Sequence, residues 1–280
     1  MIIDTHTHFY DPSRPQGIPW PDRDSELYRQ VLPGHHRDVS EKHGVTGTIV
    51  VEASSWVEDN QWILDLAADD PWIVGLVGHV DPNRAGFGAD VERFAANPLF
   101  RGIRIGGDCF GDLDNGHFMA DMELLAGKGL ELDELMNVDH WDNFCEFARR
   151  VPELTIVINH IALVPVDGNA PDPHWVDCMN RAAEFPRVFM KGSGVVETTA
   201  VKPAPADPGY YEPTLDALWN AFGEDRILYG SNWPVSDLHA DFDTAFGIVK
   251  TYFEGKGEEQ AQKYWWRNTE DAYGFVARNG

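Results

Sequence analysis

The chain has 280 residues, with 46 acidic against 22 basic, a net charge of −24, and 43% hydrophobic and 12% aromatic residues. That apolar content supports a large buried core and excludes a disordered chain, while three scattered cysteines (Cys109, Cys145, Cys178) with no CxxC pair argue against a disulfide framework or a thiolate zinc site. The acidity sets the chain against a phosphate backbone, and no apolar run approaches the ~18 residues of a membrane span; a small-molecule substrate is expected, with no nucleic acid and no membrane.

The opening Met1-Ile2-Ile3-Asp4 has no basic stretch ahead of an apolar one, so a cytoplasmic protein is expected. In chain order, strand-like runs fall at Ile2–His6, Gly47–Ala53, Ile73–Val80, Gly102–Gly106, Gly129–Asp133, Thr155–Ile161, Arg187–Gly194 and Arg226–Ser231. Helical patterns such as Asp59–Ala68, Ala89–Ala96, Asp139–Arg150, Trp175–Glu184 and Glu212–Phe222 lie between them. Several runs are apolar on both faces, as parallel strands covered by helices are. Eight such units predict one α/β domain over residues 1–280, a (β/α)8 TIM barrel. A two-domain doubly wound fold is the weaker alternative, because no Gly-rich loop follows the first strand and no linker appears. A Pro- and aromatic-rich insertion over residues 9–34 interrupts the rhythm after the first strand and would sit at the barrel mouth.

His6-Thr7-His8 is the sharpest local feature. Side chains alternate along a strand, so both imidazoles point to one side at its carboxyl end and are suited to chelate one divalent metal. His160 ends the sixth apolar run, and with His6 and His8 it makes the three nitrogen ligands of a catalytic zinc site with an open position. Each is also readable as a satisfied core histidine. Among ten tryptophans, Trp20 and Trp233 lie near the expected mouth and are the ligand-contact candidates, whereas Trp265-Trp266 reads as docking a C-terminal helix on the barrel.

Ile3-Asp4-Thr5-His6-Thr7-His8, Phe100-Arg101-Gly102-Ile103-Arg104, Val157-Ile158-Asn159-His160, Val188-Phe189-Met190-Lys191-Gly192-Ser193-Gly194 and Leu228-Tyr229-Gly230-Ser231-Asn232-Trp233-Pro234-Val235 occur in that order. Together they resemble the amidohydrolase-2 branch of the amidohydrolase superfamily, and within it the sugar-acid lactonases of the L-fuconolactonase and L-rhamnonolactonase type and 2-pyrone-4,6-dicarboxylate lactonase. The resemblance implies a distorted (β/α)8 barrel that hydrolyses a small cyclic ester in carbohydrate metabolism. It implies metal-binding or carbonyl-polarising roles for His6, His8 and His160, and a substrate-gripping role for Arg104. Zinc is the implied metal, although the group also holds metal-independent members.

The residues add their own reasons. An arginine fork grips a planar carboxylate, and one of Arg101 and Arg104 is expected to serve the site while the other caps the barrel. Glu52, His79 and Lys191 end strands two, three and seven and are further substrate-binding candidates, each with a structural ion pair or packing role as the alternative. Ser193 is a lesser one.

The main departure from the family pattern is Asn232, where most amidohydrolases carry the aspartate that serves as general base. A carboxamide cannot take a proton from water. Three readings stand: a lactonase with Asp237, Glu52 or His160 as base, a ligand-binding relative without turnover, or an engineered trap. The first leads, with non-oxidative decarboxylation of a small unsaturated or aromatic acid as the other enzymatic alternative. Oligomeric state is not legible.

Overall fold

The computed structural model describes residues 1–114 and 116–278. Eight parallel strands run in the order β1 to β8: Ile2–Thr7, Val45–Val51, Ile73–Gly78, Phe100–Gly106, Glu131–Leu135, Thr155–Ile158, Val188–Lys191 and Ile227–Leu228. The edges meet where Tyr229 O accepts from Thr5 N at 3.1 Å and Trp233 O accepts from His8 N at 3.0 Å. The sheet therefore curls into the expected (β/α)8 barrel. Helices α1 (Pro33–Ser40), α2 (Asp59–Asp69), α3 (Phe87–Ala95), α4 (Phe118–Gly127), α5 (Trp141–Arg150), α6 (Pro173–Ala183), α7 (Glu212–Phe222) and α8 (Phe242–Gly255) fill the crossovers. Two short helices follow, α9 (Glu258–Gln262) and α10 (Asn268–Tyr273). No helix among the described residues is long and apolar enough to cross a membrane.

Strands such as β2 and β3 are apolar on both faces because they cover two cores. Val50, Leu76, Ile103 and Ile105 face the helices, while Ile49, Val51, Val77 and Leu228 fill the lumen. Below them Tyr273 from α10 enters the lumen, and Arg101 caps that end by donating from Nε to Tyr273 O at 2.5 Å. Trp265 stacks on Phe246 of α8 with centroids 5.3 Å apart, which docks the C-terminal segment as the sequence suggested.

The β1 strand is phased by an irregularity. Its register with β2 shifts between Asp4 and Thr7. Ile3 sits in the lumen and Asp4 bonds His36 of α1 at 3.1 Å, yet His6 two residues on meets the lumen residue Lys191. A strict alternation would send Asp4 and His6 to the same side; the extra residue re-aims the strand. Thr7 pairs with Thr48 Oγ1 at 2.8 Å, away from both histidines.

Buried carboxyls crowd β5. Glu134 is fully buried and neither oxygen has a partner among the described residues, so burial pushes its carboxyl well above the usual range. A raised folded pKa contributes stability that is complete below the unfolded value, about 4.3, and is lost as pH rises through the folded one. Glu134→Gln does not titrate, so its melting temperature relative to the parent should rise between pH 5 and pH 8. The gain is at most about 1–3 kcal/mol, the cost of a buried unsatisfied group. A difference that stays flat with pH, followed by thermal melts, would count against this.

Candidate active site

A cavity of about 490 Å³ opens at the carboxyl ends of the strands, within the range of ~300–1,000 Å³ usual for small-molecule sites. His8, Glu52, Arg104, His160, Glu197 and Asn232 supply its polar wall. Trp20 arrives from the insertion after β1, whose ends are pinned by paired Tyr10 and Val31 backbones at 2.9 Å in both directions. Arg14 in the same excursion bonds Asp59 of α2 at 2.5 Å, which holds the loop over the mouth.

Three imidazoles converge. The His6 ring centroid lies 4.9 Å from that of His8 and 4.2 Å from that of His160. Each ring is held through Nδ1: His8 donates to Val51 O at 3.0 Å, His160 bonds Ser193 Oγ at 3.0 Å, and His6 meets Lys191 Nζ at 3.1 Å. Burial, reinforced for His8 by Arg104 and for His6 by His160 and Lys191, lowers all three; His8 falls to about 3. The cluster is neutral at pH 7.

Backbone strain marks the same place. His160, Ile161, Ala162 and Leu163 form a left-handed turn with φ of 49°, 51°, 49° and 54°, an arrangement non-glycine residues rarely adopt. Gly194 (φ 71°) makes room for it, since a Cβ there would sit 2.6 Å from His160 Cβ. Strain of this kind persists where the surroundings over-determine a site.

Beneath the histidines lies a buried ladder. Lys191 is fully buried and donates to Asp133 Oδ2 at 2.5 Å, while Tyr273 Oη donates to Asp133 Oδ1 at 2.6 Å. Burial lowers the Lys191 ammonium, and Asp133 opposes that by stabilising the charge. An ammonium donating to His6 Nδ1 leaves the neutral ring its proton on Nε2, which has no partner among the described residues.

The candidates thus divide. Arg104 and Glu52 line the cavity as expected, joined by Nε and Nη2 of the arginine on Glu52 Oε1 at 2.9 and 2.8 Å, with Nη2 also on Glu52 O. Lys191 does not line the cavity wall; it lies under His6, paired with Asp133 in the lumen. Trp233 is buried and stacks near His36, with Arg29 over its ring, so it too is off the wall. His79 stays aside: its backbone N–H and C=O are both taken by the Asn60 side chain. Asp237 pairs with Arg29 at 3.1 Å and is absent from the lining. Glu197 was missed. It stands in the loop after β7, accepts from Asn232 Nδ2 at 2.8 Å through Oε1, and its Oε2 has no partner among the described residues. Burial pushes it up to about 7. An acid shortly past a strand's carboxyl end was the sole signal available.

A model of the amidohydrolase family matches residues 3–275. The chain belongs to that family. A protein named L-fucono-1,5-lactonase from Burkholderia ambifaria is 32% identical over 247 residues, covering 86% of this chain and 82% of its own length. Crystal structures of an amidohydrolase from Burkholderia multivorans have the same fold: one with bound HEPES superposes with a TM-score of 0.88 at 23% identity, covering 98% of this chain and 99% of that one. Another, with bound zinc, gives 0.86 at 24% identity over the same shares.

The donor set of this chain does not fit a three-histidine zinc centre. A zinc ligand needs a lone pair on the facing nitrogen, and Lys191 leaves a proton on His6 Nε2. Among the described residues no group of three or more His, Cys, Asp or Glu is placed to hold a metal ion. In this geometry His6 is a hydrogen-bond donor.

Proposed function

We propose that this amidohydrolase opens a small polyhydroxylated lactone of the sugar-acid type, in the manner suggested by the activity named for its Burkholderia ambifaria relative. The observation that carries this reading is the cavity wall itself. Neutral imidazoles, one guanidinium and two carboxylates surround a volume suited to a single sugar ring, with Trp20 as an apolar face for its C–H groups.

Arg104 spends Nε and Nη2 on Glu52, and its Nη1 corner has no protein acceptor among the described residues. That corner is the charged donor for the lactone carbonyl oxygen, and it strengthens as water adds and negative charge gathers there. The imidazoles of His8 and His160 line the same cavity and contact the reacting ester without competing for the charge, since neither is protonated at neutral pH. Collapse of the tetrahedral adduct breaks the ring C–O bond and yields a hydroxy acid.

Proton release measured with a pH indicator across a panel of 1,4- and 1,5-sugar lactones should show turnover on at least one, and dialysis against a chelator should leave that rate within about twofold. No turnover on any lactone, before or after incubation with divalent metals, would overturn the reading. Carbon dioxide release from aromatic acids would replace it with decarboxylation.

A further inference from the structure

Two carboxylates line the cavity, Glu52 and Glu197, and they differ in kind. Glu52 Oε1 is taken by the Arg104 guanidinium through Nε and Nη2, so this carboxylate is committed to holding the arginine. Glu197 has no cationic partner among the described residues. Its Oε1 accepts from the Asn232 amide at 2.8 Å, and its Oε2 is buried with no partner among the described residues. Its side chain is thus held at the cavity wall by a neutral donor and not by a cation.

Asn232 explains the arrangement. It sits at φ 56° on the segment after β8, a left-handed position that asparagine tolerates better than most residues. Its Nδ2 donates to Glu197, and its side chain is also a hydrogen-bonding neighbour of His8. An aspartate there could not donate to Glu197, and it would set a second negative charge against it. The carboxamide and the glutamate therefore read as one unit: the amide holds the carboxylate at the cavity wall through Oε1. Asp237 offers no equivalent, being bonded to Arg29 outside the cavity wall.

We propose that Glu197, positioned by Asn232, is the general base of this site. The role rests on the lactone-hydrolase reading above. The Glu197 carboxylate takes one proton from the attacking water as the water oxygen bonds the lactone carbonyl carbon. It returns that proton to the ring oxygen as the carbon–oxygen bond breaks, so the glutamate ends as it began and the product is the open hydroxy acid. A carboxyl raised by burial toward neutrality exchanges a proton readily in both directions at the working pH.

Glu197→Gln keeps an oxygen to accept from Asn232 but cannot take a proton. Its kcat on the best lactone of the panel should fall by about 10²–10⁴-fold, the usual weight of a general base, with KM within a fewfold and the melting temperature near the parent's. Exchanging the pair, Glu197→Gln with Asn232→Asp, returns a carboxylate to the unit on the other side and should recover at least about tenfold over Glu197→Gln alone. Should Glu197→Gln fail to fold, Glu197→Asp gives the same readout, a loss in kcat at nearly constant KM. A parent that turns over lactones together with a Glu197→Gln variant within threefold of it overturns the base assignment alone. A parent inactive on every lactone overturns the hydrolase reading and this role with it.

Discussion

Lys191→Met should destabilise the protein by about 3–5 kcal/mol, the measured scale for removing one partner of a buried ion pair. The reason lies in what remains. Asp133 is fully buried, its other oxygen already bonded to Tyr273, and Glu131 sits beside it with both carboxylate oxygens unpartnered among the described residues. Without the ammonium, two neighbouring carboxyls, Asp133 and Glu131, remain in the buried lumen without the cation bonded to Asp133, and the proton that relieves the charge comes at a cost in stability. Burial and Asp133 already raise Glu131 well above the ordinary carboxylate range, and Lys191 is the nearest charge opposing this.

Two further variants separate fold from chemistry. Lys191→Met combined with Asp133→Asn removes both charges, and a buried pair replaced as a pair is often close to neutral for stability, so chemical denaturation should show most of the loss recovered. Activity should not recover with it. His6 would keep its ring but lose the donor that fixes its proton on Nε2, and loss of such a supporting contact typically costs about 10–100-fold. A double variant restored in both stability and turnover would show that the ladder serves packing only.

The second large effect is expected at the arginine. Arg104→Lys should lower kcat/KM on the preferred lactone by about 10²–10³-fold, the range for loss of one oxyanion donor. Charge is conserved in that change, but the fork is not. Arg104 meets Glu52 through Nε and Nη2 while keeping Nη1 for the cavity, whereas an ammonium is a single point that must choose. With the Glu52 carboxylate 2.8 Å from the present guanidinium, the lysine will stay with it and leave the carbonyl oxygen without its donor. Arg104→Ala with added guanidinium should recover part of the rate; Arg104→Lys within threefold of the parent would remove Arg104 from the reaction.

Much of this was legible from spacing. A residue on a strand has its direction set by the strand, so His6, His8, Glu52 and Arg104 were found from pattern and parity. The strand ends were less so. The first strand's alternation survived only because a bulge re-phased it, and the eighth run shrank to Ile227–Leu228 since Tyr229 turns to bond Tyr264 O at 3.1 Å. Lys191 was placed at the right strand end with an ion pair as one of its two readings, but sequence does not reveal that the partner is Asp133 across the lumen. Glu197 was invisible for a different reason: a loop residue's direction is set by contacts such as Thr198 N with Gly194 O and by an asparagine 35 positions away, neither of which leaves a periodic trace.

The ladder under His6 has a consequence for how such a barrel can be divided. Strands β1 to β4 carry His6, His8, Glu52 and Arg104; strands β5 to β8 and their loops carry Asp133, His160, Lys191, Ser193, Glu197 and Asn232. Each half thus supplies three polar groups of the cavity wall, and the back half also owns Lys191 and Asp133, which set the His6 proton. Neither fragment is a primitive version of the whole, and recombining halves between relatives would preserve the fold yet scramble the tautomers unless His6, Lys191, Asp133 and Tyr273 travelled together. What is inherited as a unit here is a line of hydrogen bonds across the barrel, not a contiguous stretch of chain.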